Sequence, residues 1–142
     1  YGCREYGDYY ADAVCKYTGK DIMRWKPDVI VPVPLTGRKQ SMRGFNQSAY
    51  LADRVGEQLQ IPVAYGLVKK IRNTKSQKKL NAAQRKQNLA DAFRAEENIR
   101  GLTVLVIDDV YTTGSTVDAM AQCLKGAGAE QVYFITLCAG QQ

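Results

Sequence analysis

The chain has 142 residues, 45% of them apolar and 24% charged. That suits one globular domain and excludes both two full domains and a wholly disordered chain. There is no histidine, which removes Ser-His-Asp and Cys-His catalysis and every zinc site that needs imidazole. The net charge of +6 is local: residues 69–86 hold eight of the 20 basic side chains and no acid, leaving 12 bases against 14 acids elsewhere. Such a segment is either a solvated surface or an attractor of phosphates or nucleic acid.

Residues 5–24 set Tyr6, Tyr9, Tyr10, Ala13 and Tyr17 at helical spacing, and this tyrosine-rich stretch is expected to be packing surface. Pro27 closes it, with Trp25 read as packing. Residues 28–34 form a short buried strand with prolines at its exit, and the polar, basic residues 35–44 form a loop. From Phe45, the positions Ala49, Ala52, Val55 and Leu59 share one helical face, stopped by Pro62. Asn46-Gln47-Ser48 matches a glycosylation sequon, but Asn46 and Gln47 read as loop-anchoring or capping groups.

Residues 63–71 suggest a strand, residues 72–81 have no apolar periodicity, and residues 82–92 are good helix formers. After a turn at 98–101, residues 102–107 are the strongest strand, apolar on both faces as a central parallel strand is. Residues 108–114 read as a loop. A helix over 115–127 turns Val117, Met120, Ala121 and Leu124 inward and ends at Gly126 and Gly128, and a last strand covers 132–138. Cys3, Cys15, Cys123 and Cys138 form no CxxC pair and are expected to be reduced thiols in a cytoplasmic protein. No apolar run approaches the ~20 residues of a membrane span, and no signal peptide is expected among these residues.

Strands alternating with helices imply a parallel sheet with helices on its faces. Ligands of such sheets bind beyond the carboxyl ends of the strands, which singles out the exits at 34–44 and 108–116. The second is the richer. A buried strand delivers Asp108 and Asp109, followed by the hydroxyls of Thr112, Thr113, Ser115 and Thr116 around Gly114. Glycine lets the backbone turn its N–H groups toward one point, and a helix beginning near Ser115 adds its positive end. Together they suit a phosphate monoester. The acids suit hydrogen bonds from sugar hydroxyls or metal-bound water, and as neighbours at a strand end they are expected to point in different directions. The plainer reading is a helix N-cap made by Ser115 or Thr116 beside two solvated acids. Tyr111 suits either stacking on a base or ribose, or covering the loop.

Residues 104–107, then Asp108-Asp109, then Thr113-Gly-Ser-Thr116 resemble the phosphoribosyl pyrophosphate (PRPP) motif of type I phosphoribosyltransferases. The likeness extends through Val33-Pro-Leu35 with Arg38, Arg43 to Gln47, Arg72, Thr74, Gln77, Leu80, Arg85, Asn88 and Ala92-Phe93 to the competence protein ComF family. The resemblance implies an α/β fold: a single type I phosphoribosyltransferase-like parallel sheet flanked by helices, with 1–26 as a helical hood part and 72–90 as a mobile basic lid. It implies Asp108 and Asp109 as catalytic acids on the ribose hydroxyls, and Thr112, Thr113, Gly114, Ser115 and Thr116 around the 5-phosphate. Pro34, Leu35 and Arg38 would meet pyrophosphate, although Thr36-Gly37 departs from many relatives. Arg72, Lys75, Lys78, Lys79 and Arg85 would belong to the lid.

Mg²⁺ is the implied cofactor, held mainly by the substrate, with no protein metal ligand. The implied reaction moves a 5-phosphoribosyl group from PRPP to an unidentified base or amine. The alternatives are a non-catalytic protein that binds PRPP or a nucleotide, or a competence protein that takes single-stranded DNA or competence proteins as partners. No aromatic residue stands between Lys69 and Asn88 for bases to stack on, and no GxxxxGK[ST] supports a nucleotide triphosphatase. A homodimer is the implied assembly, and the four-cysteine zinc segment of ComF relatives is expected to be absent.

Overall fold

The computed structural model describes residues 3–34, 46–71, 81–84, 92–96, 99–111 and 114–139. In chain order they form α1 (Cys3–Trp25), β1 (Val29–Pro32), α2 (Gln47–Leu59), β2 (Val68–Lys70), β3 (Phe93–Ala95), β4 (Thr103–Tyr111), α3 (Ser115–Gly126) and β5 (Gln131–Ala139). The basic residues expected in the lid fall outside the described set; of that stretch only 81–84 is described, as a helical turn closed by reciprocal bonds between Asn81 and Gln84.

The main sheet is parallel, ordered β1-β4-β5. β4 is central because it has no polar side to offer water: Val104, Leu105, Val106 and Ile107 are all fully buried. Strand alternation divides them. Val104 and Val106 pack with Met120 and Leu124 of α3 and with Val68 and Phe93 of the small antiparallel pair β2-β3. Leu105 and Ile107 pack with Ile22 of α1 and Leu51 and Val55 of α2. Burying each such side chain contributes about 1.5–3 kcal/mol. The sheet thus carries helices on both faces, as its sequence pattern predicts.

Four expectations need correction. β4 does not stop at residue 107: pairing with β5 continues through Asp108↔Thr136, Val110↔Cys138 and Tyr111↔Ala139, so 108–111 is strand, not loop. Residues 63–71 are not one strand: Val63 makes an isolated parallel bridge to Ile30, and only Val68–Lys70 pairs, antiparallel with Phe93–Ala95. The buried stripe of α2 is Ser48, Leu51, Ala52, Val55 and Gly56, with Ala49 and Leu59 only half-buried. Finally, α1 buries Ala11, Val14, Gly19 and Ile22 against its neighbours, whereas Tyr9 and Tyr17 are 68% and 76% exposed. Small side chains let α1 approach α2, and the tyrosines stand outward.

Where α1 meets α2 the contact is also polar. Arg54 and the Tyr50 hydroxyl both reach Asp8, at 2.8 and 2.9 Å, and Gln58 donates to Asp12. Trp25 stacks flat on Tyr133 of β5, centroids 4.5 Å apart and planes 4° apart, so it is packing, as expected. Cys15 and Cys123 are free thiols, and burial pushes both upward in pKa. Among the described residues no helix is long and apolar enough to cross a membrane.

Candidate functional site

The carboxyl end of β4 brings together three elements. Asp108 and Asp109 stand on the strand, the first turn of α2 lies against them, and α3 begins beyond the turn at Gly114. Asp108 is 8% exposed. Its Oδ1 accepts from the Asp109 N–H at 2.9 Å and from the Ser48 hydroxyl at 3.3 Å, while the Ser48 oxygen accepts from the same Asp109 N–H at 3.2 Å.

The two acids do not point apart. Burial first, then a hydrogen bond and charge repulsion from Asp109, push the Asp108 carboxyl up to about 6 against the pull of the Asp109 N–H and Ser48. The carboxyls meet because Asp108 curls over the backbone of its neighbour, which the period of a strand does not foretell. Asp108 is therefore not a solvated acid.

Gly114 is the N-cap of α3, at φ 80° and ψ −1°, so neither Ser115 nor Thr116 caps the helix. The first intrahelical bond is Asp118 N–H to the Gly114 carbonyl, 2.9 Å. The N–H groups ahead of it belong to the first turn, whose donors have no partner within a helix and whose dipole end is positive. The left-handed angle is what a glycine supplies here without strain. Gly114→Val is expected to cost roughly 1–2 kcal/mol, visible as a lower denaturant midpoint at unchanged slope; an unmoved midpoint would show that the turn does not need glycine.

The exit of β1 is tied to α2 by Asn46. Its side-chain oxygen caps the helix by accepting from Ala49 N–H, and its Nδ2 donates to the Val33 carbonyl, both at 3.2 Å. The anchoring role expected of Asn46 is therefore seen. Pro34 is half-buried and lines a hollow of about 350 Å³ with Pro32, Asn46, Tyr65, Lys69 and Lys70. Lys69 leans toward Glu96 at 3.9 Å, and Lys70 lies 5.7 Å from the Phe93 ring centroid.

Of the predicted site residues, the structure brings Asp108 and Asp109 together at the strand exit and sets Gly114 at the start of α3, with Thr116 half-buried in its first turn. Ser115 is placed by its backbone alone. Thr112, Thr113, Leu35, Arg38, Arg72, Lys75, Lys78, Lys79 and Arg85 lie outside the described residues. Ser48 was not foreseen. The signal was present, since a serine occupies a position on the apolar stripe of α2 where a hydrophobic residue is the norm.

Comparison with known proteins agrees with this architecture. The family described as the phosphoribosyl transferase domain matches residues 8–142. The chain is 43% identical over 112 residues to the DNA utilization protein YhgH of Salmonella typhi, an alignment covering 79% of this chain and 49% of that one. It is 36% identical over 109 residues to Competence protein F of Haemophilus influenzae, covering 75% and 48%. The chain thus spans about half the length of these curated relatives. In fold it is similar to the purine phosphoribosyltransferase from Pyrococcus horikoshii, with a TM-score of 0.60 at 17% identity over 92% of this chain and 73% of that one. A central parallel strand carrying paired acids near its end, followed by a glycine-started helix, sits inside the matched region, and the chain belongs to the phosphoribosyl transferase domain family, as a ComF-like member.

Proposed function

We propose that the chain binds Mg-PRPP at the exit of β4 and transfers its phosphoribosyl group to a base or amine, releasing pyrophosphate. The observation that carries this reading is the acid pair set on β4 five residues ahead of Gly114, where helix α3 starts, at the carboxyl edge of a parallel sheet. Asp108 and Asp109 accept hydrogen bonds from the ribose hydroxyls, and the N–H groups that open α3 take the 5-phosphate.

Among the described residues no three His, Cys, Asp or Glu side chains converge. The donor set suits an ion carried by pyrophosphate oxygens and water rather than by a protein cage. Bound there, magnesium would neutralise charge on the leaving group. Departure of pyrophosphate leaves positive charge on the ribose, and the carboxylates beside it stabilise that charge while the phosphate grip fixes the sugar's orientation.

Equilibrium binding of Mg-PRPP to the purified chain tests the first half, and pyrophosphate release over a panel of nucleobases and amines tests the second. Asp108 accepts a ribose hydroxyl more strongly when ionised and carries its proton up to about pH 6, so affinity is expected to fall as pH drops through that value. A pH-independent affinity between 5 and 8 would remove the acids from the site.

The relatives called DNA utilization protein and Competence protein F, together with the basic segment 69–86, favour a second reading in which the domain meets single-stranded DNA. Phosphate contacts of that kind weaken steeply with salt. Binding that survives at high salt, or that fails at low salt, argues against it.

A further inference from the structure

Among the described residues two polar side chains are buried, Ser48 and Asp108, at 4% and 8% exposure, and they bond each other. A serine hydroxyl in a helix ordinarily points to solvent or bonds within its own helix. Ser48 instead reaches a residue 60 positions away. The contact has two parts: its O–H donates to Asp108 Oδ1 at 3.3 Å, and its oxygen accepts from Asp109 N–H at 3.2 Å. One hydroxyl therefore touches the side chain of the first acid and the backbone of the second. Two residues earlier, Asn46 holds the Val33 carbonyl at the exit of β1. The first turn of α2 thus clasps the exits of both β1 and β4.

We infer that Ser48 is the positioning residue of the acid pair, fixing the direction of the Asp108 carboxylate through a hydroxyl shared between that carboxylate and the Asp109 amide. The inference deepens the proposed PRPP reading and rests on it for its functional part. The geometry is economical. A buried carboxylate that loses a donor keeps the cost of its burial and becomes free to rotate. Asp109 is the charged group acting on Asp108, and it lies on the same strand. The flanking chains bring uncharged groups to that level, Val33 beyond β1 and Thr136 on β5, and α2 brings the Ser48 hydroxyl. Among the described residues no other charge acts on Asp108, so the hydroxyl's effect is separable.

The test is Ser48→Ala, which removes the hydroxyl without adding volume, followed by carboxyl-carbon NMR titration of Asp108 in the unliganded chain. The hydroxyl favours the ionised form, so its loss is expected to move the Asp108 midpoint to higher pH. In the same variant, Mg-PRPP affinity at neutral pH is expected to fall about tenfold, the equivalent of one hydrogen bond to a charged group, with its pH dependence displaced in the alkaline direction. A midpoint identical to that of the parent chain overturns the assignment, whatever the variant's thermal stability. If the parent chain itself fails to bind Mg-PRPP, the proposed function falls, while the titration still decides whether Ser48 governs the acids.

Discussion

Asp108→Asn combined with Asp109→Asn is expected to weaken Mg-PRPP binding strongly and, at neutral pH, to make the unliganded chain more stable. Hydrogen bonds to charged groups contribute roughly 1.5–3 kcal/mol each against about 0.5–1.5 for neutral ones, so an amide oxygen in place of each carboxylate gives up about 1 kcal/mol and the pair weakens binding by about thirtyfold. The stability gain follows from linkage. In the folded chain Asp108 holds its proton up to about pH 6, above the ordinary 3.8, so between those values the native state binds more protons than the unfolded one.

Stability contributed by this group is therefore greatest below about pH 4, falls as pH rises through 6, and stays low above it. An amide at 108 avoids that loss and still offers an oxygen to Ser48 and to the backbone N–H of residue 109. The expected gain is roughly 1–3 kcal/mol at pH 7.5, shrinking toward zero near pH 4. Thermal unfolding across that range reads it directly. A double variant that is less stable at pH 7.5, or that binds PRPP undiminished, would contradict the site. Stability surrendered at a functional position is a common trade in proteins.

Gly56→Ala is expected to destabilise the domain by roughly 2–3 kcal/mol even though alanine is the better helix former by about 1 kcal/mol. A Cβ at this position would stand 2.7 Å from the Ile61 carbonyl oxygen and 2.7 Å from Val63 Cγ2. Neither gives way cheaply. The chain from 61 to 64 is held by Ile61 N–H on the Gly56 carbonyl, by Ile30 N–H on the Pro62 carbonyl and by Ala64 N–H on the Ile30 carbonyl, at 3.0, 2.8 and 2.9 Å. Backbone fixed at three points transmits the clash to the edge of β1. Denaturant titration checks this, and equal or higher stability in the variant would mean that the segment can slide.

The central strand and its acids were legible because a run with no polar residue has few places to go in a small domain. The ending of that run was less so. Apolar residues stop at Ile107, whereas hydrogen bonding to β5 runs on to Tyr111, and the backbone pairs without regard to side-chain polarity. The β2-β3 pairing was hidden because each strand has three residues and the second follows a stretch of good helix formers. On α1 the tyrosines carried the apolar period by count, but Ala11 and Gly19 make the close approach, and a phenol tolerates water where an isoleucine would not. Ser48 escaped because a small polar residue in a helix has many ordinary uses; its meaning arises from Asp108, which is near it only after folding.

The stacked Trp25 and Tyr133 rings lie at the amino edge of the sheet, since Tyr133 pairs with Leu105 near the start of β4 and the acids stand at the other edge. Trp25 is the chain's single tryptophan. Its indole emission is consequently a label-free gauge of whether the first helix is seated on the last strand, and it should stay quiet when the opposite edge is filled.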